Sequence, residues 1–521
     1  MFKLKACLLY LPAGLVVAAC TDLATTVEDA ISEEVVEGVP PPIADPAAAL
    51  VGVYNQLRTL TQGVPNTHSL MEHTSDEMMG PTRGTDWSDF GVWRQLHAHT
   101  WDPSHGRVLG SWNELNAGIF RATQVVDPRA SSTPLQVAEA RFLRAFFAFY
   151  VMDLFGQVPF RPSDAPPAAI PDVMDRPDAF DFIVDDLRAA RPQLPNLTSG
   201  LDAGAASQEA VDFLLARLYL NRAVYTTSTP TSPSAGPYTF ASADMDSVIA
   251  RVQAIIDNPS TDLTAFWDNF HWDNTTRSNE LVFVKREEAG ADGNFTWYWW
   301  TLHYHHSPNE CCNGFVTLGA FYDLFEPADV RRRAYIPEMT ASTGVWAGIL
   351  EGQQYRSYTD PTTPVGPLND RGGNPLVFTR EVDLFYSNER MGLRVIKYLF
   401  NPAQVNRAGT DFVFFRYADA LLMKAEAHFR KGQTAEALTI VNQIRANRGA
   451  SQLTSIDEQT LLDERGRELY WEGWRRHDQI RFGAFTQAWE QKPASGAHRV
   501  MFPIPQRALD TNPNLVQIQG Y

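Results

Sequence analysis

The segment Phe412–Phe485 carries the pattern that most restricts the fold of this chain. Its first part places apolar residues three and four positions apart, which puts them on one face of a helix. These residues are Phe415, Ala418, Leu422, Ala425 and Phe429. Gly432 interrupts the pattern, a second helix follows, and Gly449 is placed to end it in a left-handed conformation. Two helices joined by a tight turn predict a helix hairpin of tetratricopeptide type.

A third helix is predicted after this hairpin, over residues 461–483, LLDERGRELYWEGWRRHDQIRFG. Ser455 and Glu458 have the spacing of a capping box that begins such a helix. Acidic and basic side chains alternate along it among large aromatic residues, which indicates an ion-paired helix packed on a partner surface. Gly466 lies in its middle, where it costs roughly 1 kcal/mol relative to a good helix former.

Three segments of the C-terminal region resemble the signatures of the SusD/RagB family. In chain order they are RYADALLMKAEA, ERGRELYWEGWRRHDQIRFG and FPIPQRALDTNPNLVQIQGY. This family consists of surface lipoproteins that work beside TonB-dependent outer-membrane transporters. The resemblance implies a mainly α fold, in which tetratricopeptide-like helix hairpins form a scaffold and a large loop-rich insertion contains short strands.

The N-terminus predicts export and a membrane anchor. Residues 1–20 have a basic start, an apolar run too short to span a bilayer, and a small-residue end, as in an export signal. Their ending, Val-Ala-Ala-Cys, resembles a bacterial lipobox, which implies that Cys20 carries a lipid. An ordinary cleaved signal with an incidental cysteine is the alternative. Residues 21–45 are acidic and end in prolines, so they are predicted to be a tether.

The remaining chain, residues 46–521, is expected to form a single SusD-like domain. Helical patterns recur in residues 46–258 and 411–485, which we assign to the scaffold. Residues 259–410 are assigned to a variable ligand-binding insertion, and residues 486–521 to the C-terminal family tail. By resemblance to the family, the protein is expected to be lipid-anchored on the outer membrane and to face the cell exterior.

Several local patterns make sharper predictions. Residues 139–156 are apolar nearly all round, which predicts a buried helix. Residues 280–285 predict a short strand. Residues 61–103 and 339–375 have weak periodicity and many turn residues, so both stretches are predicted to be loops.

The candidate ligand-binding site is the aromatic-rich part of the insertion, residues 294–312. A run of aromatic residues on one helix or strand cannot all face one core, so some rings are predicted to be exposed. Exposed rings suit sugars, because the C–H faces of a pyranose stack on them while nearby polar groups bind hydroxyls. The alternative is a hydrophobic cluster that fixes the insertion to the helices. In the family, N-terminal loops and the insertion meet on one face, which adds two residues near position 87. The predicted site residues are Asp86, Trp87, Asn294, Trp297, Tyr298, Trp299, Trp300, Tyr304 and His305.

Neither a metal nor a cofactor is predicted. Histidines 303, 305 and 306 lie near two cysteines, but no characteristic ligand separation accompanies them. Cys311 and Cys312 either pair with each other in a strained ring or stay reduced, so there is no disulfide framework.

With these features, the resemblance to the SusD/RagB family implies a glycan-binding lipoprotein that captures oligosaccharides and delivers them to a SusC-like TonB-dependent transporter. Nucleic acid is excluded as a partner because the net charge of −17 repels phosphate. Catalysis is not predicted, since no carboxylate pair, nucleophile elbow, Walker loop or zinc motif stands out. An oligopeptide ligand, a glycoside hydrolase and a pure protein scaffold are the alternatives.

Overall fold

A computed structural model of the protein describes residues 38–61, 67–287, 300–306, 312–404 and 409–521. The predicted export signal with Cys20 lies outside the described residues, as does most of the predicted tether. Over the described ranges, no helix has the length and apolar character needed to cross a membrane. The division of the chain into signal, tether and one domain stays a prediction.

The protein is mainly α, as predicted, with tetratricopeptide-like helix hairpins as its scaffold. The α-helices in the described part of the chain are α1 Pro46–Gln56, α2 Thr67–Glu72, α3 Val92–His97, α4 Gly106–Val126, α5 Pro134–Phe155, α6 Arg176–Ala190, α7 Gln208–Thr227, α8 Ser242–Ile256, α9 Asn274–Arg277, α10 Gly319–Tyr322, α11 Pro337–Thr343, α12 Tyr417–Arg430, α13 Thr434–Asn447, α14 Glu458–Leu469, α15 Arg475–Arg481 and α16 Gln506–Thr511. Short 3₁₀ helices lie at Leu57–Leu60, Asp89–Gly91, Pro128–Ala130, Arg191–Gln193, Gly200–Gly204, Phe266–Phe270 and Ala497–Val500.

The strands are short and form small antiparallel sheets. They are β1 Val158–Phe160, β2 Asp172–Met174, β3 Leu281–Lys285, β4 Arg333–Ala334, β5 Ala347–Leu350, β6 Gly352–Gln353, β7 Tyr355–Asp360, β8 Thr363–Pro367, β9 Val377–Phe378, β10 Arg394–Ile396 and β11 Phe412–Arg416. Strand β1 pairs with β2, β5 lies between β4 and β10, β3 pairs with β11, β6 with β9 and β7 with β8.

The scaffold is a continuous array of packed helices. Helix α4 packs against α5, α5 against α6, and α7 against α8. Helix α8 then packs against α12, although the segment with most of the strands separates them in sequence. The ammonium group of Lys424 on α12 donates a hydrogen bond of 2.6 Å to Gln253 on α8. The strand-rich segment is therefore looped out between two helices that are neighbours in space.

The predicted hairpin is α12 and α13, with Gly432 in the turn between them and Gly449 just after its end. Both glycines adopt the left-handed conformation, with φ of 77° and 69°. One detail of the prediction is wrong, because Phe415 lies on β11 rather than on the helix. The ring of Phe415 is buried and stacks on Phe213 of α7 at 4.3 Å between centroids. An apolar residue just before a helix fits the helical spacing by position alone.

Helix α5 is the buried centre of the scaffold. Thr133 begins it with a capping box completed by Gln136, and Gly156 ends it at φ 71°. Every residue of the helix from Phe142 onward is buried. The ring of Phe146 contacts Phe283 and Phe414 edge-on, at 5.4 and 5.2 Å between centroids. The prediction of a buried helix is confirmed, because helices and the β3–β11 pair surround it.

The charged C-terminal segment is two helices, α14 and α15, and the prediction of one continuous helix is wrong. The break between them contains left-handed Trp471 and Gly473, at φ 58° and 85°. Their backbone N–H groups donate to the buried carboxyl groups of Glu77 and Glu72 from the N-terminal region. The predicted capping box is also wrong, since α14 is capped by Asp457, which accepts from Thr460 N at 2.8 Å.

The charges of this segment pair inside the protein, as the sequence predicted. Glu468 accepts from three arginines that come from separate parts of the chain, and all four side chains are buried. The ion pairs of this network connect Arg331, Lys397, Arg416, Arg445 and Arg448 with Glu280, Asp329, Glu464, Glu468 and Glu472. Because burial of an unpaired charge is costly, this network ties α14 to the scaffold and to the insertion.

Gly466 of α14 is required by packing, which the sequence did not indicate. A Cβ atom there would lie 2.7 Å from a guanidinium nitrogen of Arg475 and 3.3 Å from the Phe321 ring. Arg475 has little room to move, because its nitrogens bond Asp76 and the carbonyl of Leu462 at 2.7 to 2.8 Å.

We expect Gly466→Ala to lower the free energy of unfolding by about 1 to 2 kcal/mol, since overpacking outweighs the gain in helix propensity. Gly52→Ala is the matched control, because it is also within a helix and nothing lies within 4 Å of the added Cβ. That substitution should stabilise the protein by up to about 1 kcal/mol. Urea titrations of both variants test this, and equal stabilisation by the two alanines would show that the Arg475 contact is not restrictive.

Both stretches predicted to be loops contain regular structure. Residues 61–103 include α2 and α3, and residues 339–375 include part of α11 and strands β5 to β8. Strands β7 and β8 form an antiparallel hairpin in which Tyr355 pairs with Pro367. Elements this short span too few residues for their periodicity to show in the sequence.

Candidate functional site

The candidate site is built where three parts of the chain meet. They are the N-terminal loop 79–91, the insertion pieces 300–306 and 312–317, and the later loop 383–394. Backbone hydrogen bonds of 2.7 to 3.1 Å join them: Met79 N and Val316 N to each other's carbonyls, Phe315 N to Trp300 O, Thr317 N to Leu393 O, Thr82 N to Leu384 O and Ser387 N to Thr82 O. The loops are therefore fixed relative to one another.

Trp87 is held in place by its backbone, by a hydrogen bond and by a glycine. A two-residue turn between Arg83 and Asp86 precedes it, and its own φ is 60°. The indole N–H donates to the carbonyl oxygen of Cys312 at 2.5 Å. The chain passes under the indole at Gly314, where an added Cβ would lie 2.4 Å from the ring. Only glycine permits this close approach.

Trp87 and Trp300 form what we call the aromatic shelf. Their ring centroids are 6.0 Å apart at 86°, and both side chains are half-buried. The ring of Phe315 packs against Trp87 at 4.8 Å and is fully buried, as is Trp93 next to it. The shelf thus rests on the core and presents part of its aromatic surface to solvent.

A polar rim, formed by Asp86, Tyr304, Arg371 and Glu389, adjoins the shelf. The hydroxyl of Tyr304 donates to Asp86 at 2.8 Å, and the guanidinium of Arg371 lies 4.1 Å from the centre of the Tyr304 ring. Arg371 also forms ion pairs with Asp86, at 3.4 Å, and with Glu389. Burial and the Asp86 carboxylate raise the pKa of Tyr304 to about 12, so its hydroxyl remains a donor.

Glu389 is a fixed anion in this rim. Burial alone would raise its pKa, but hydrogen bonds from the Arg371 backbone, His303 and the Arg371 guanidinium lower that pKa to about 2. His303 lies 2.9 Å from the carboxylate, and burial lowers the pKa of this imidazole to about 4. At neutral pH the neutral His303 therefore donates to Glu389, while its other nitrogen accepts from the backbone N–H of His305 at 3.1 Å.

The structure brings five of the predicted site residues to one place. Asp86, Trp87, Trp300 and Tyr304 form the shelf and part of its rim. His305 is exposed beside them, and its imidazole lies 2.6 Å from the carbonyl oxygen of Asn369. The other four predicted residues, Asn294, Trp297, Tyr298 and Trp299, lie outside the described residues.

Sequence reasoning missed several residues of this region. Arg371 and Glu389 complete the rim, and Phe90, Phe385 and Tyr386 present exposed aromatic rings on the same loops. Only the adjacent aromatic residues Phe385 and Tyr386, within a polar stretch, offered a signal in the sequence. Arg371 and Glu389 carried no such signal in the sequence, because they lie far from Asp86 along the chain.

The cysteines and histidines of the insertion show no metal-site geometry in the part of the chain that the structure describes. No group of three His, Cys, Asp or Glu side chains there is arranged to hold an ion. Cys312 is disulfide-bonded, and the chain's other three cysteines lie outside the described residues.

The fold and the site together define a protein whose helical hairpins act as a scaffold and whose loops and insertion carry the candidate site. A family model for the SusD family matches residues 385–497. The starch-binding protein SusD of Bacteroides thetaiotaomicron is 26% identical over 471 residues, which covers 82% of this chain and 81% of that protein. The chain is therefore similar to SusD-family proteins over most of its length, and its C-terminal region matches the model of that family.

Solved structures share this fold. A laminarin-binding SusD-like protein matches with a TM-score of 0.68 at 20% identity, over 92% of this chain and 100% of its own. The surface glycan-binding protein A of Bacteroides thetaiotaomicron, solved with laminarihexaose, matches with a TM-score of 0.64 at 16% identity, over 91% of this chain and 98% of its own.

Proposed function

We propose that this protein binds neutral oligosaccharides on the aromatic shelf and passes them to a SusC-like TonB-dependent transporter. The observation that carries the proposal is the half-buried pair Trp87 and Trp300 next to fixed polar groups. Aromatic faces accept the C–H surface of a pyranose, and the rim offers donors and acceptors for its hydroxyls. Starch, laminarin and laminarihexaose in the names of the related proteins support a glycan ligand.

The charges of the rim favour a neutral sugar over a peptide or an acidic glycan. Arg371 is already paired with Asp86 and Glu389, so its positive charge is balanced by two carboxylates. A free anionic group on a ligand would meet these carboxylates as well as the arginine. Capture of oligopeptides, in contrast, calls for unpaired charges in a deep groove, whereas the shelf is partly open to solvent.

The same geometry favours binding over hydrolysis. A glycosidase needs one carboxyl group that is protonated near neutral pH and can act as an acid. In the rim, the pKa of Glu389 is lowered to about 2 by its hydrogen bonds, so this carboxyl stays ionised. The carboxylate is also occupied by His303 and Arg371, which leaves it poorly placed to activate water.

We further propose that the protein acts at the cell surface, anchored in the outer membrane by a lipid on Cys20. The lipobox-like ending of the leader and the acidic stretch that follows support this location. The similarity to SusD-family proteins supports the transporter as partner. Palmitate labelling of the full-length protein and of Cys20→Ala tests the anchor, and equal labelling of both would contradict it.

Isothermal titration against a panel of ligands tests the proposed function. We expect maltohexaose, laminarihexaose or another neutral glycan to bind, and we expect peptides and polyuronic acids not to bind. Binding of a peptide mixture with no response to any glycan would show that the ligand class is wrong. Steady release of reducing sugar from a bound glycan would show instead that the protein is an enzyme.

A further inference from the structure

Three aromatic side chains near the shelf are exposed and are not used by the site described above. Phe90 is fully exposed, at 105% of the reference value, while Tyr386 is 85% and Phe385 53% exposed. They are the most exposed aromatic side chains in the described part of the chain. Exposure on this scale has no stabilising effect on the fold, so it points to a contact with another molecule.

Phe385 and Tyr386 sit on a rigid turn. The carboxylate of Asp383 accepts both of their backbone N–H groups, at 2.7 and 2.8 Å. Ser387 closes the turn by bonding Asp383 with its hydroxyl and the carbonyl of Thr82 with its backbone N–H. The turn is thereby fastened to the loop that carries Trp87.

Phe90 is held outward by a backbone of unusual conformation. Trp87, Asp89, Phe90 and Gly91 all have positive φ, of 60°, 31°, 54° and 87°. Three of them have side chains, for which this region is unfavourable, and such strain is concentrated at functional sites. Asp89 is locked by a hydrogen bond from the Trp93 indole N–H. A ring presented to water by a strained and locked loop is pre-positioned for a ligand.

The loop that carries Phe90 and the turn that carries Phe385 and Tyr386 are close in space. The guanidinium of Arg94 lies 5.4 Å from the centre of the Phe385 ring and bonds the hydroxyl of Thr82. The same guanidinium lies next to Gly91, because a Cβ atom added to Gly91 would be 3.5 Å from one of its nitrogens. Arg94 thus links the loop of Phe90 to the turn of Phe385. Both loops also carry shelf and rim residues, Trp87 on one and Glu389 on the other.

From this arrangement we propose that Phe90, Phe385 and Tyr386 form a second aromatic platform, which binds the continuation of a glycan chain held on the shelf. This proposal rests on the proposed function and specifies its ligand as an extended oligosaccharide rather than a mono- or disaccharide. Because the loops are rigid, little conformational entropy is lost when the platform binds a glycan. Each added sugar contact then raises affinity for long chains only.

A glycan fits this surface better than a protein partner does. The centre of a protein interface is depleted of charge and excludes water. Here the guanidinium of Arg94 lies 5.4 Å from the centre of the Phe385 ring, and the exposed polar residues Asp89 and Asn388 are near Phe90 and Tyr386 in sequence. Isolated rings among polar groups match the apolar faces and hydroxyls of a sugar chain.

The test is the dependence of affinity on chain length, measured by isothermal titration with maltose to maltohexaose and laminaribiose to laminarihexaose. In the glucan series that binds, we expect the double variant Phe90→Ala/Tyr386→Ala to bind the hexasaccharide about fivefold more weakly, the loss of roughly one stacking contact. Its affinity for the shortest chain that binds should match that of the wild type. Leu201→Ala, another exposed apolar residue at 55%, is the control and should change neither affinity.

Two results would overturn the platform. In one, the double variant binds short and long chains equally more weakly than the wild type does. In the other, it retains every glycan affinity; if it then also no longer co-purifies with the membrane transporter, these rings are a protein contact. If the wild type binds no glycan at all, the proposed function itself is wrong, and this outcome is distinct from both.

Discussion

Replacing Arg416 by methionine is expected to lower the free energy of unfolding by about 3 to 5 kcal/mol. Its guanidinium is buried at the end of β11 and forms ion pairs with Glu280, Glu468 and Glu472, at 3.2, 2.6 and 2.7 Å. Methionine fills much of the same space but carries no charge. The three carboxylates would then share fewer cations in an interior where a charge without a partner is strongly unfavourable.

Two further variants separate the ionic effect from loss of packing. Arg277→Met removes a surface ion pair with Asp268, in which the charged atoms are 3.7 Å apart. The two side chains of this pair are 40% and 34% exposed. That change should cost at most about 1 kcal/mol. Adding Glu472→Gln to Arg416→Met removes the excess negative charge and should recover about 1 to 2 kcal/mol.

Urea unfolding followed by circular dichroism measures all of these variants. The interpretation requires that Arg416→Met be much less stable than Arg277→Met and that the double variant lie between Arg416→Met and the wild type. If Arg416→Met were as stable as Arg277→Met, the buried network would contribute nothing to stability. If Glu472→Gln lowered the stability further, packing and hydrogen bonds would matter more than charge balance.

The scaffold was largely predictable because its helices are long. In α12 the apolar spacing extends over several turns, and in α5 apolar residues cover nearly the whole helix, because each packs against its neighbours over its length. Even there the start of α12 was misplaced, because Phe415 is a strand residue that continues the helical spacing by chance. The family signatures then added the relation between hairpin and insertion, which periodicity alone does not contain.

The break between α14 and α15 shows what local sequence leaves out. Nothing in the segment itself demands a turn at Trp471 apart from the glycine two positions later. The turn is stabilised by the carboxyl groups of Glu72 and Glu77, which lie far away in the chain. Gly466 is similar, because its reason is the position of Arg475 after that turn. Such long-range causes become visible only in three dimensions.

The candidate site was predictable in its aromatic part and not in its polar part. Trp300 stood out because it belongs to a run of aromatic residues, and Trp87 because the family resemblance brings N-terminal loops next to the insertion; both lie on the shelf. Arg371 and Glu389 are ordinary charged residues of a loop, and only their meeting with Asp86 gives them a role. The exposure of Phe90 depends on backbone conformation, which no local pattern of residues indicated.

Replacing Trp87 by alanine is expected to weaken binding of a neutral oligosaccharide by about 30-fold or more, the effect of losing a central aromatic contact worth about 2 kcal/mol. The indole forms half of the shelf, and its N–H fixes the carbonyl of Cys312. Alanine removes the stacking surface and leaves Trp300 without its edge contact. Trp87→Phe keeps an aromatic face but loses the hydrogen bond, so its affinity should lie between those of alanine and wild type.

Trp346→Ala is the matched control for this prediction. Trp346 is also half-buried and lies in the insertion, but its ring contacts Tyr335, Tyr358 and Arg333, away from the shelf. We expect it to lower the melting temperature about as much as Trp87→Ala while leaving affinity unchanged. Isothermal titration and thermal unfolding of the same preparations give both quantities. A residue that contacts the ligand lowers affinity more than its effect on stability explains. Equal losses of affinity in the two variants would therefore mean that Trp87 affects binding only through the stability of the fold.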